Sequence, residues 1–259
     1  MSVQAAAGIV RSATALLDGP AAWLVPHAAA RSLIECFAVW ADCEERARAA
    51  RFVRDRDRGG YTISHAALRL VLGSVTNQPP ASVRIRRLPG GKPVLADANV
   101  GVRFSLSHTE GATLIAVSPC CDIGADIEVM PVEFDAAMVL TAIAGAAEAA
   151  QLQAATVPGG LARAVLRLWV IKEAALKLDG VGLALDPRCI VAEPRAPNII
   201  EVRAAAAWTG FTPCFVRVLD VGSGFAAAAA IAPACDGTCV PVPVIHWPAE
   251  GGADKGPCV

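Results

Sequence analysis

Apolar positions recur along the chain at two periods, and the period changes in a fixed order. Tyr61, His65, Leu68 and Leu72 fall at i, i+4, i+7 and i+11, the spacing that lines one buried face of a helix. The TNQPP segment at 76–80 ends that helix. The period then drops to two. Val83 and Ile85 alternate with Arg84 and Arg86 before a PGGKP turn at 89–93, and Val102, Phe104 and Leu106 alternate with Arg103, Ser105 and Ser107. Both segments predict half-buried strands. Residues 113–118 and 122–129 read as two further strands, joined through Pro119, Cys120 and Cys121. The order repeats in the second half: a helical stretch over 134–155, a VPGG break, a long helix from 161 to about 178, then strands that end with 216–221 and 224–232. The alanine run at 226–230 favours a helix on propensity alone. It is short, follows Gly224 and is closed by Pro233, so a strand is expected there.

The expected class is therefore α+β, as two halves of similar length: residues 1–118, residues 119–235, and a Pro- and Gly-rich tail at 236–259 expected to be loosely ordered. No repeat is legible residue by residue. The 259 residues are 54% hydrophobic, enough to bury a sizeable core. No unbroken apolar run reaches the roughly 18 residues that a spanning helix needs. Arg11 and Asp18 interrupt the N-terminal stretch where an export signal would need a clean apolar core. A net charge of −1 argues against a general nucleic-acid binder. Nine cysteines at irregular spacing fit free thiols in a reducing cytoplasm better than a disulfide framework. Cys235 and Cys239 have no matching second pair for zinc, and Cys258 is misplaced for prenylation. A cytoplasmic protein with no membrane contact is expected.

Candidate chemistry sits in two places. On the 122–129 strand, Asp126 and Glu128 share one face, their Cα atoms about 7 Å apart at roughly 3.3 Å per residue. Two carboxylates so placed repel unless a cation or solvent separates them, and hard oxygen donors suit Mg²⁺. On the long helix, Trp169, Glu173 and Lys177 recur every four residues, about 6 Å per step along one stripe. That stripe mixes an aromatic ring, a carboxylate able to hold metal or accept a proton, and a cation able to meet a phosphate. Gly180 and Gly182 supply a helix stop and a tight turn. His108 ends the FSLSH strand, and Lys92 sits on a glycine turn that lets backbone approach a ligand. Taken singly, each has a plain reading as well: a solvated strand face, a surface Glu–Lys pair, a structural histidine, a turn lysine.

In order, these segments resemble the 4′-phosphopantetheinyl transferase superfamily, and within it the large Sfp-like class. The resemblance rests on the charged run and helix from Arg46 to Arg69, the G-K-P turn at Gly91, Lys92 and Pro93, and the S-H pair Ser107 and His108. It continues with G-x-D-x-E at Gly124, Asp126 and Glu128, W-x-x-K-E-x-x-x-K at Trp169, Lys172, Glu173 and Lys177, and the G-x-G-L at 180–183. It spans residues 46–231.

The resemblance implies two α+β halves packed as an intramolecular pseudo-dimer in a monomeric enzyme, with the metal site in the second half. The implied reaction moves the phosphopantetheine arm of coenzyme A to a serine of an apo acyl or peptidyl carrier protein, releasing 3′,5′-ADP. Asp126, Glu128 and Glu173 would hold Mg²⁺; Glu173, Lys177 and Asp126 would be catalytic; Arg48, Lys92, Ser107, His108 and Lys177 would bind the cofactor's phosphate groups. Two departures stand out. Glu148, the candidate for a further acid found in relatives, lacks the aromatic neighbourhood usual there, and Glu45 stands where some members carry a lysine for the 3′-phosphate, leaving Arg48 or Arg46 to serve. A Mg²⁺-dependent phosphohydrolase and a non-catalytic coenzyme A-binding relative remain as alternatives, since the same acids would serve water as nucleophile and the fold would survive loss of catalysis.

Overall fold

In a computed structural model, residues 8, 18–130, 134–155, 157, 160–206, 210–233 and 241–247 are described. The first half begins with strand β1 (Ala21–Pro26) and helices α1 (Leu33–Trp40), α2 (Cys43–Ala49) and α3 (Asp55–Val75). A short hairpin follows, β2 (Ile85–Arg87) and β3 (Pro93–Leu95), then strands β4 (Arg103–Thr109) and β5 (Ala112–Ser118), and β6 (Ile123–Val129) opens the second half. The second half adds α4 (Ala136–Ile143), α5 (Ala146–Ala155) and the long α6 (Leu161–Asp179). It closes with β7 (Ile190–Ala196), β8 (Ile199–Ala204), β9 (Cys214–Leu219) and β10 (Phe225–Ile231), and β11 (Val244–His246) comes last. The class is α+β.

Beside the two-stranded β2-β3 sheet, two larger sheets form among the described residues, ordered β11-β1-β5-β4 and β6-β10-β9-β8-β7. They stack as the middle layers of a helix–sheet–sheet–helix arrangement, and side-chain alternation decides which face each residue serves. Trp23, Val25, Ile115 and Val117 pack with Leu33, Phe37, Tyr61, Leu68 and Leu72 of α1 and α3. Their neighbours Ala22, Leu24, Leu114 and Ala116 turn the other way and meet Ile123, Ala125, Ile127, Ala227, Ala229 and Ile231 of the second sheet. Ala228 and Ala230 in turn meet Val170, Ala174 and Ala175 of α6. A strand buried on both faces has no polar positions to alternate with, so the alanine run is a strand whose small side chains admit a sheet on one side and a helix on the other.

Gly124 explains how closely α6 lies on β6. A Cβ placed there would stand 2.1 Å from the Ala174 carbonyl oxygen and 2.4 Å from the Leu178 nitrogen, so only glycine fits. The helix then stops at Gly180, whose left-handed conformation (φ 83°) returns its N–H to Leu176.

Three features depart from the sequence reading. The expected helix over 134–155 is two helices, because the chain extends at Ala144 after α4. The alanine-rich N-terminal stretch contains β1 and α1. And within the expected loose tail, β11 pairs parallel with β1, matching Ala22 with Val244 and Leu24 with His246; Trp247 is buried in the first core and donates its N–H to the Leu24 carbonyl at 2.9 Å. An open edge on β1 would leave its backbone groups unpaired, and this segment supplies their partners. No helix among the described residues is long and apolar enough to cross a membrane.

Candidate active site

The chemistry-bearing residues converge where β4, β6 and α6 meet. β6 presents Asp126 and Glu128 away from the inter-sheet core, toward the helix. Asp126 is almost completely buried, and its Oδ1 accepts from Ser107 Oγ at 2.7 Å and from Lys177 Nζ at 2.6 Å. Lys177 also donates to Ser107 Oγ at 3.0 Å, so β4, β6 and α6 are tied at one point. Asp126 Oδ2 and Glu173 Oε1 are buried and have no hydrogen-bond partner among the described residues. Glu128 accepts from Thr109 Oγ1 at 3.1 Å.

The three carboxylates feel one another. Burial pushes Glu128 above the usual carboxylate range, and the negative charge of Asp126 pushes it further; Thr109, Lys177 and Trp169 pull the other way. Glu173 is raised for the same first two reasons, with Glu128 adding to the rise and Lys177 opposing it. Among the described residues no group of three or more His, Cys, Asp or Glu is already drawn together around one ion. Lys177 and Ser107 hold Oδ1 of Asp126, which leaves Oδ2 and the Glu173 oxygen as the uncommitted buried donors.

Two adjoining cavities lead away from this point, sharing Pro93 and Leu106 in their walls. The nearer, about 220 Å³, is lined by Lys92, Lys177, Gly90, Gly91 and Gly180. Its shape depends on the PGGKP turn sitting against the end of α6: a Cβ on Gly90 would lie 2.5 Å from the Gly180 carbonyl oxygen. Lys92 donates to the Leu178 carbonyl at 2.5 Å, a favourable position for a cation at a helix C-terminus. Burial lowers its pKa, and Asp122 and Asp179 oppose the drop. The farther cavity, about 370 Å³, is lined by Arg48, Tyr61, His65 and His108 among others. His108 is lowered first by desolvation and then by the positive charge of His65, Lys177 and Arg48. Arg48 is exposed at the rim.

Glu45 belongs to the scaffold of this cavity. It closes a capping box with Asp42 at the start of α2, and its carboxylate accepts from His65 Nδ1 at 2.8 Å and from the buried Arg69 Nε at 2.8 Å. Burial alone would raise its pKa, but the His65 and Arg69 contacts hold it below the ordinary value. The acid at this position is therefore spent on α3, and Arg46 is turned back to the Ala41 carbonyl. Of the two arginines considered, Arg48 is the one that lines the cavity.

Glu148 does not join the carboxylates. Its Oε2 accepts from Lys172 Nζ at 2.6 Å and its Oε1 from the Ala192 N–H at 2.9 Å, so both oxygens are committed elsewhere. Lys172 is fully buried and also reaches the carbonyls of Ile143, Pro187 and Ile190. The pair ties α4, α5 and the start of β7 to α6. Two residues of the site lay outside the sequence reading. Thr109 lies one residue past the strand end that the pattern puts at His108, and His65 reads as a core position in an apolar stripe; a histidine in such a stripe is the available signal.

The model of the 4′-phosphopantetheinyl transferase superfamily matches residues 122–230, and that of the 4′-phosphopantetheinyl transferase N-terminal region matches residues 29–120. The chain is 30% identical over 200 residues to the 4′-phosphopantetheinyl transferase HetI of Nostoc sp., covering 76% of this chain and 83% of that one. It is also 30% identical over 115 residues to the L-aminoadipate-semialdehyde dehydrogenase-phosphopantetheinyl transferase of Rattus norvegicus, covering 43% of this chain and 34% of that one. The chain belongs to the 4′-phosphopantetheinyl transferase superfamily.

Proposed function

We propose that this enzyme transfers the 4′-phosphopantetheine arm of coenzyme A to a serine of an acyl or peptidyl carrier protein with the help of Mg²⁺, releasing 3′,5′-ADP, and that it works as a cytoplasmic monomer. The observation that carries the reading is the pair of buried, partnerless oxygens, Asp126 Oδ2 and Glu173 Oε1, beside a lysine and at the head of a cation-lined groove. A dense anion such as a pyrophosphate needs charge-assisted contacts, and a hard cation needs oxygen donors of this kind. The donor set fits Mg²⁺, with Asp126, Glu128 and Glu173 as the residues that would hold it. When bound, such an ion would neutralise charge on the pyrophosphate.

The remaining work falls to the chain. Lys177 and Lys92 meet phosphate oxygens from the nearer cavity, and Arg48 and His108 from the farther one, with Ser107 keeping Lys177 and Asp126 in register. The carrier serine Oγ attacks the β-phosphorus, the new O–P bond replaces the bond to 3′,5′-ADP, and the serine proton passes to the Glu173 carboxylate. Positioning and charge neutralisation supply most of such a step. No cysteine takes part. The two halves divide near residue 119 in this reading, the first shaping the coenzyme A groove and the second carrying the acids.

The test is to incubate the protein with coenzyme A and apo carrier and follow both products. The reading requires the arm on the carrier and 3′,5′-ADP in equal amounts, and loss of both when EDTA removes divalent metal. Release of phosphate or 3′,5′-ADP without a modified carrier would point to a phosphohydrolase instead.

A further inference from the structure

The two halves of the site are joined by an unusual seam. β4 is the edge of one sheet and β6 the edge of the other, and no main-chain ladder links them among the described residues. Their connection runs through hydroxyls at alternate positions of β4. Ser105 Oγ accepts the Ala125 N–H at 2.9 Å, Ser107 Oγ donates to Asp126 Oδ1 at 2.7 Å, and Thr109 Oγ1 accepts the Val129 N–H at 3.1 Å while donating to Glu128 Oε2 at 3.1 Å. The partner numbers rise together, so the two strands run the same way with a nearly constant offset. A sequence of period two that reads as polar, solvent-facing positions is instead a row of buried or half-buried hydroxyls.

We infer that this hydroxyl row sets the register of β6 against β4, and that Thr109 is a positioning residue which orients the Glu128 carboxylate. Thr109 suits the role because one oxygen serves both tasks: accepting from the Val129 N–H fixes that oxygen relative to the backbone of β6, and its single proton is then aimed at Glu128. A hydroxyl has one proton to give and lone pairs to receive, so the two bonds do not compete. Ser105 fixes the same register four residues earlier but touches no carboxylate. Partners that orient a metal-binding carboxylate change metal affinity without touching the metal. The inference rests on the proposed metal role of Glu128.

The experiment compares Thr109→Val, Thr109→Ser and Ser105→Ala in the full chain, reading Mn²⁺ binding in the presence of coenzyme A by electron paramagnetic resonance, with melting temperature and transfer kinetics alongside. Thr109→Val is expected to weaken Mn²⁺ binding on the order of tenfold and to raise the Mg²⁺ concentration for half-maximal transfer similarly, with the KM for coenzyme A unchanged at saturating Mg²⁺. Thr109→Ser restores wild-type affinity. Ser105→Ala melts earlier yet binds Mn²⁺ as the wild type does. Should Thr109→Val not fold, Thr109→Cys, a weaker donor and acceptor, is expected to show reduced Mn²⁺ affinity. Wild-type affinity in Thr109→Val, or in a folded Thr109→Cys when Val is lost, overturns the inference, as does failure of Thr109→Ser to restore binding. A wild-type protein that binds Mn²⁺ but modifies no carrier would overturn the transferase reading while leaving the positioning result standing.

Discussion

Glu173 carries the clearest sign of a residue kept for function at a cost to the fold. One of its oxygens is buried without a partner, and burial and the Asp126 charge raise its pKa. Since its folded-state pKa lies above the unfolded value, stability from this group is fully present below the unfolded pKa and declines as pH rises through the folded one. In metal-free buffer, Glu173→Gln should therefore melt at a higher temperature than the wild type at pH 7, with the gap narrowing as pH is lowered toward 4; thermal denaturation across that range checks it, and an unchanged gap would contradict the assignment. Asp126 differs, because Lys177 and Ser107 already compensate one of its oxygens. Lys92 is predicted to act on binding: Lys92→Ala should raise the KM for coenzyme A severalfold with kcat little changed, as steady-state kinetics at fixed carrier concentration would show.

Among the elements, α6 carries the most. It brings Glu173 and Lys177 to β6 through the close approach that Gly124 permits, and its far side is anchored by the buried Lys172–Glu148 pair. Removing one partner of such a pair strands the other charge in the interior. Lys172→Met is thus expected to destabilise the protein by about 3 kcal/mol, measured by denaturant unfolding. This element was legible from its apolar and charged spacing, and so were α3 and β4 to β6. What spacing could not reveal was where each polar face turned. Ser105 and Ser107 look like water-facing positions and in fact meet another strand, and Lys172 and Glu173, adjacent in sequence, point into different surroundings. Glu148 was a candidate ligand through the resemblance to relatives, and only the distances to Lys172 and Ala192 show where its oxygens go.

For the molecule as a whole, the missed pieces are those buried on two sides or joined across long sequence separations. β1 reads as an apolar run because Trp23 and Val25 serve one core while Ala22 and Leu24 serve another, so no period marks it. The composition of the tail suggested loose chain, yet its described part is the partner of β1. Trp247→Ala should cost about 3 kcal/mol by loosening that edge of the first sheet, detectable as faster hydrogen exchange at Ala22 and Leu24 with the β6 amides little changed. The family was legible because its short motifs occur in a fixed order, each of them weak alone; within them the fold turns Lys172 toward Glu148 and away from the groove. The central claim is that transfer occurs where β6 and α6 meet. Intact-mass spectrometry of an apo carrier incubated with coenzyme A, Mg²⁺ and either the wild type or Asp126→Ala tests it most directly. The account predicts rapid modification by the wild type and a loss of at least about a hundredfold in the variant; a folded Asp126→Ala protein that modifies the carrier at close to the wild-type rate would contradict it.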